Sequence, residues 1–457
     1  MMGRLIGGSI LAAAVLVGGS AHAACDRFAG STMQYGSGPV ANWRTDYPEA
    51  VDAIDRPWTR IDFISNPADY MRAVLRAAQT DFVRKDKRLV RNDVHHEWWI
   101  SPWMDYTSNG RERSMGLTKE RGPDAKDLSP TSQDSYQVWA VGFYNRPGAL
   151  VFGSIFEDEC DPQFPKVVQF PENTVSVKFL FTDASPEEVT YLKDAPEYEA
   201  FIDVGEERSP KKRQLKSLRL LQVDISVKDS RARDTDWVFG TFVWRGPPKG
   251  DELFDNLEPA SLQWGNDPGV YDQTLRQSWI NGDLRGILYG WAERPFLGFN
   301  GRANGPADNL RSSCLSCHST SRAPAGTLRQ VGRFDMVRDY GSPDKVKQHV
   351  DAWFKNYRSK DLFLSDQPAA VSLDYSLQLE SAIFRICNAC LTGGLTGPTP
   401  KICRDIGYAF LDIRNPPLRM LKATCEGTSN TSSVDAVISS EAAPSLERQT
   451  IMEPPRQ

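Results

Sequence analysis

Two stretches alternate apolar and polar residues with a period of two. Val175, Val177, Phe179 and Phe181 interleave with Thr174, Ser176, Lys178 and Thr182, broken only by Leu180. Leu221, Val223, Ile225 and Val227 interleave likewise with Gln222, Asp224, Ser226 and Lys228. Successive side chains of a strand point to opposite faces, so this pattern predicts antiparallel sheet with one buried and one polar face. Trp237–Trp244 is a third β-rich run, closed by the Gly246-Pro247-Pro248 turn. Residues 136–144 and 149–156 flank Asn145-Arg146-Pro147-Gly148, which reads as a hairpin with a short loop. Together these strands, mainly within 135–245, predict a sandwich-like, mixed α+β region. Ahead of them, Met71, Val74, Leu75 and Ala78 are spaced for one face of a helix over Pro67–Val83.

The chain starts with the marks of an export signal. Arg4 is followed by an apolar stretch, Leu5–Val17, and by Ala21-His22-Ala23, a small–x–small pattern that predicts cleavage after Ala23. That stretch is too short and too rich in glycine to span a bilayer, and no other segment has the length. The expected location is therefore periplasmic or secreted. In an oxidising compartment, the six cysteines outside the pentapeptide described next (Cys25, Cys160, Cys387, Cys390, Cys403 and Cys425) are expected to pair as disulfides. Cys25 with Cys160 is the preferred pair, leaving the last four to pair among themselves. Residues 426–457 are rich in Ser, Thr, Glu, Ala and Pro without apolar periodicity, and read as a disordered tail. A net charge of −5 gives no footing for nucleic acid.

The most specific local signal is Cys314-Leu315-Ser316-Cys317-His318. With 8 Cys and 5 His in 457 residues, a chance C-x-x-C-H is expected on the order of 0.001 times per chain. The spacing is that of covalent haem attachment. Two cysteines three apart reach the two vinyl groups of one porphyrin, and the adjacent histidine lies under the iron. Export supports this reading, because bacterial haem attachment takes place outside the cytoplasmic membrane. The alternative is half of a zinc site, completed by Cys387 and Cys390.

Downstream, Ser342-Pro343 reads as a helix start. The helix it opens places Val346, His349, Val350, Trp353, Phe354 and Tyr357 on one face. A further helical pattern around Leu377, Leu379, Ile383, Phe384 and Ile386 ends at the cysteine cluster, and residues 307–313 read as a short helix leading into the pentapeptide.

With the pentapeptide, the signal and the aromatic helix, residues from about 300 to 390 resemble a single-haem cytochrome c domain. As a whole the chain resembles bacterial cytochrome c family proteins that carry a long β-rich region ahead of the haem. The resemblance implies an α-helical haem domain holding one haem c, with Cys314 and Cys317 as thioether sites and His318 as proximal iron ligand. It also implies a distal methionine beyond the attachment site, for which Met336 is the candidate. His349 is the alternative distal ligand, and Met104 or Met115 would be ligands from the first region.

The expected organisation is thus a signal at 1–23, a β-rich domain at 24–295, an α-helical cytochrome c-like domain at 296–425 and a tail at 426–457. The expected role is one-electron transfer to a redox partner protein. Two alternatives stay open: a peroxidase-like oxidoreductase whose first domain binds substrate, and a zinc- or disulfide-stapled binding module. His95, His96, Glu97, three tryptophans and Met104 crowd into residues 94–104. This cluster is either a ligand set or aromatic packing between domains. Adjacent histidines point to different sides of any regular backbone, so they do not readily share one metal.

Overall fold

A computed structural model describes residues 44–405, apart from 45, 52–55, 86, 92–96, 103–116, 121, 124–126, 130–135, 204–212, 247–248, 250–253, 273, 285–297, 324–341, 360–370 and 392–398. The signal, Cys25, Cys425 and the tail thus lie outside the described residues, as do His95, His96, Met104, Met115 and Met336.

Strands β1 (Phe82–Lys85) and β2 (Arg88–Arg91) form a hairpin of their own. The dominant element is a nine-stranded sheet of β3 (Trp98–Ile100), β4 (Thr118–Lys119), β5 (Val138–Asn145), β6 (Val175–Thr182), β7 (Glu197–Asp203), β8 (Arg213–Lys228), β9 (Trp237–Trp244), β10 (Leu257–Gln263) and β11 (Ser278–Ile280). Its order is β11-β10-β9-β8-β6-β5-β3, with β4 added to β5 and β7 to β8. Every named pairing in it is antiparallel. A short pair, β12 (Arg322–Ala323) with β13 (Val371–Ser372), stands apart. The helices are α1 (Pro67–Gln79), α2 (Arg146–Ile155), α3 (Cys314–His318), α4 (Pro343–Trp353), α5 (Leu377–Leu391) and α6 (Lys401–Asp405).

One face of the sheet carries the apolar half of the alternation. Val175, Val177, Phe179, Val223, Ile225, Val227, Val238 and Phe242 pack there with Tyr70, Met71, Val74, Leu75 and Ala78 of α1. Each large buried apolar side chain contributes roughly 1.5–3 kcal/mol through the area it removes from water. Gly240 makes the close approach possible: a Cβ there would lie 2.9 Å from Leu262 and 3.0 Å from Met71.

The other face, polar by the sequence pattern, is not solvated. Gln222, Ser226, Lys228, Thr241, Ser261 and Gln263 are all buried. Residues 299–323, 371–391 and 399–403 cover this face. Their Leu315, Leu373, Tyr375, Leu379 and Ile383 share one apolar cluster with Tyr144, Phe170, Trp237 and Phe239 of the β region.

This arrangement overturns the expected fold. No α-helical cytochrome c-like domain stands after the β region among the described residues. The helix bearing the pentapeptide is five residues long, too short to build a bundle, and it buries its apolar side against the sheet. Helix α5 forms where its periodicity places it. Helix α4 starts as expected but ends at Trp353, so Phe354 and Tyr357 lie beyond the helix expected to carry them. Ser342 caps α4, its hydroxyl accepting from Lys345 N at 3.3 Å.

Two local readings also change. Residues 146–155 are helix α2, not the second strand of a hairpin, because Asn145 acts as an N-cap with Pro147 in the first turn. Residues 307–313 are turn rather than helix, and the helix begins at Cys314.

Candidate functional site

Helix α3 is set by its own sequence at its start. Ser313 and Ser316 form a reciprocal cap, with Ser316 N donating to Ser313 Oγ at 3.1 Å and Ser313 N donating to Ser316 Oγ at 2.8 Å. Residues three and four apart share a helix face. Cys314, Cys317 and His318 occupy that spacing and are all partly exposed, whereas Leu315, Ser316 and Ser319 are buried. The three residues of the motif therefore share one side of a single helical turn. Both cysteines are thiols rather than half-cystines.

Side chains of the sheet hold the segment that leads into α3. Gln222 Oε1 accepts from Ala307 N at 3.1 Å, Gln263 Oε1 accepts from Leu315 N at 3.0 Å, and Ser261 Oγ donates to Asn304 O at 3.3 Å. Gly305 is required by this contact, since a Cβ there would lie 2.3 Å from Gln222 Nε2 and 2.5 Å from Asp308 Oδ2. Arg302 is fully buried and donates to the carbonyls of Asn266, Asp267, Val270 and Phe299. Burial lowers its guanidinium to about 10.

His318 is held from outside its own helix. Its Nδ1 lies 2.8 Å from the Tyr375 carbonyl. A carbonyl only accepts, so Nδ1 carries the proton and the lone pair of the neutral ring falls on Nε2, the nitrogen suited to a metal. Phe239 packs on the ring at 4.5 Å between centroids. Tyr375 is buried, and its hydroxyl donates to Tyr357 O at 2.6 Å. Tyr375 and Asp374 adopt left-handed backbone, with φ of 65° and 48°, which costs on the order of 1 kcal/mol or more per residue.

A carboxyl pair lies behind Cys314. Asp224 accepts from Thr241 Oγ1 at 2.8 Å and from Gln222 Nε2 at 3.0 Å, and the same amide reaches Asp308 at 3.4 Å. Burial first, then the Asp308 charge, push Asp224 up to about 7. Burial, with Asp308 and Asp224 adding, pushes the Cys314 thiol well above its ordinary value. A catalytic C-x-x-C dithiol needs the opposite, a thiolate stabilised near neutral pH. Cys314 is therefore poorly suited to act as the attacking thiolate.

Among the described candidates, His349 and Cys387 have other partners. Nε2 of His349 donates to Arg311 O at 3.0 Å, and its ring packs between Phe299 and Phe354 at 4.6 and 5.6 Å. This is a different apolar nest from the one that holds His318. Burial lowers the His349 pKa. Cys387 is bonded to Cys403 with the Cα atoms 5.4 Å apart, which removes Cys387 from the zinc set. Cys160 is also half of a disulfide. Among the described residues no three His, Cys, Asp or Glu side chains cluster as a metal site, and no helix is long and apolar enough to cross a membrane.

Sequence reasoning singled out Cys314, Cys317 and His318. It gave no weight to Tyr375 and Phe239, which contact His318, or to the Asp374–Lys228 pair beside Tyr375. The one available signal was the polar set Gln222, Asp224, Ser226 and Lys228 on β8, read as a solvent face although most of it is buried. The residues present fit a covalent haem: two thiols and a tautomer-fixed imidazole share one face, and an aromatic wall backs the imidazole. Compared with family models, curated proteins and solved structures, the chain matches none.

Proposed function

We propose that this chain holds one haem c at α3 and passes single electrons through it to a redox partner protein, in the periplasm or outside the cell. The observation that carries the reading is the placement of Cys314, Cys317 and His318 on one partly exposed turn, with Nδ1 of His318 bonded to Tyr375 O. Bound there, the group supplies a one-electron iron couple. Attachment would need no oxidant, since each S–H would add across a vinyl C=C, sulfur to one carbon and hydrogen to the other. Burial favours the protonated thiol at Cys314, the form such an addition would consume. In this reading Cys314 and Cys317 would anchor the group and His318 would ligate it through Nε2, with Tyr375 holding the imidazole and Phe239 walling its side. The disulfide of Cys387 suits an oxidising compartment.

The test is protein matured in a periplasm that carries a haem-attachment apparatus, followed by denaturing mass spectrometry and a pyridine haemochrome spectrum. One haem that survives denaturation, and is lost in Cys314→Ser/Cys317→Ser, is the expected result. A chain that leaves the periplasm without covalent haem would sink the proposal. A high-spin ferric spectrum with peroxide turnover would replace electron transfer with a peroxidase-like activity at the same group.

A further inference from the structure

The orientation of His318 is decided at Tyr375, and the orientation of Tyr375 is decided by its neighbour. Asp374 is fully buried, and its carboxylate takes donors from three separate segments. Lys228 Nζ on β8 reaches its two oxygens at 2.9 and 3.1 Å, Trp237 Nε1 on β9 donates at 2.7 Å, and Phe170 N donates at 2.7 Å. Lys228 also bonds Ser359 Oγ and lies 5.2 Å from the Trp237 ring centroid. The turn so anchored meets the exit of α3 twice: Leu373 N donates to Ser321 O at 3.3 Å, and Tyr375 O receives Nδ1 of His318. Two consecutive non-glycine residues with positive φ persist only where surrounding bonds determine them, and here the charge-assisted bonds are concentrated on Asp374.

We propose that the buried Lys228–Asp374 pair, together with Trp237, is the positioning unit of the haem site. It locks the Asp374–Tyr375 turn, so that the Tyr375 carbonyl fixes both the plane of the His318 ring and the strength of its Nδ1–H bond. This rests on the haem reading above. A ligating histidine that donates its second N–H to a firm acceptor is more basic and favours the more oxidised metal. Loosening the turn should therefore raise the reduction potential and let the ring rotate.

The charge-balanced double variant Lys228→Met/Asp374→Asn separates positioning from a simple field effect, because net charge is unchanged. Expected are wild-type haem stoichiometry, an altered order of the hyperfine-shifted haem methyl resonances in the ferric protein, and a higher potential. A tenfold change in the ring's relative preference for the two oxidation states would read as 59 mV. Trp237→Phe, which removes one donor to Asp374 without altering charge, should move both readouts the same way by less, and it serves if the double variant does not fold. Val74→Ala, in the apolar core beneath α1, controls for general loss of stability and should move neither. Wild-type resonances and potential in the double variant or, should that not fold, in Trp237→Phe would overturn the assignment, as would an equal shift in Val74→Ala. A wild type without covalent haem would instead overturn the reading of the site itself.

Discussion

Asp224 gives the sharpest quantitative test of the buried polar face. It sits on β8 with Gln222 and Thr241 donating to it and Asp308 sharing the Gln222 amide. Its carboxyl is pushed from 3.8 up to about 7, by burial first and by Asp308 second. In full that displacement is worth roughly 4 kcal/mol. Asp224 keeps some solvent contact, so about 2 kcal/mol is the expectation after screening. The sign follows from proton linkage: the folded chain holds the proton more tightly than the unfolded one. Below about pH 4 both states are protonated and the site costs nothing. Between about pH 4 and 7 the unfolded chain ionises first, so stability falls as pH rises, and above 7 the penalty is complete.

Asp224→Asn removes the titration while keeping an oxygen for the Thr241 and Gln222 donors. Urea unfolding followed by tryptophan fluorescence at pH 4, 5.5 and 8 should show near-equal stability at pH 4 and a variant more stable by about 2 kcal/mol at pH 8. The whole gain should develop between pH 4 and 7. Asp308→Asn should recover part of the same gain, since it removes the neighbouring charge. A difference independent of pH, or a variant less stable at pH 8, would refute the claim that β8 buries a costly carboxyl beneath the α3 segment.

Two further outcomes follow from single side chains. The Cys387–Cys403 bond closes a loop of sequence separation 16, so Cys387→Ser should lose about 3 kcal/mol in urea titrations under oxidising conditions, and a wild type equally stable with and without reductant would contradict it. Burial lowers the His349 pKa, so the folded chain resists the proton that the unfolded chain accepts, and stability present above about pH 6.5 is lost on acidification. His349→Gln, whose amide can still donate to Arg311 O, should show a shallower decline from pH 7 to 5, and parallel declines would remove His349 as the cause.

Legibility in the sequence followed locality. Strands β6 and β9 were readable because their burial is set by immediate neighbours on a pleated surface. The alternation in β8 was read correctly as strand but wrongly as half-solvated. Nothing within Gln222, Asp224, Ser226 and Lys228 announces that residues 299–323 fold back over them. Helix α2 was lost for the opposite reason. Its Pro147, Gly148, Ala149, Phe152 and Ile155 are all buried, so it has little polar face from which a period of 3.6 can be read, and only the Asn145 cap and Pro147 mark it as helix. His318 was legible from a five-residue motif. Its partner Tyr375 lies 57 residues on, and the Lys228–Asp374 pair spans 146 residues, distances at which no spacing rule operates.

The same contrast explains how the expected fold can fail while the proposed attachment stays coherent. Covalent anchoring makes local demands: one helical turn to align positions i, i+3 and i+4, an acceptor for Nδ1, and an apolar wall beside the imidazole. Here α3 supplies the turn, Tyr375 the acceptor and Phe239 the wall. None of these requires a helical bundle. The sheet has its own cost, since the face under the attachment segment must be polar enough to bind backbone groups, hence Gln222, Gln263 and Ser261, and each of these must be satisfied once buried. The same buried face carries the ionisable Asp224, which ties the pH dependence of stability to the residues that hold α3 in place.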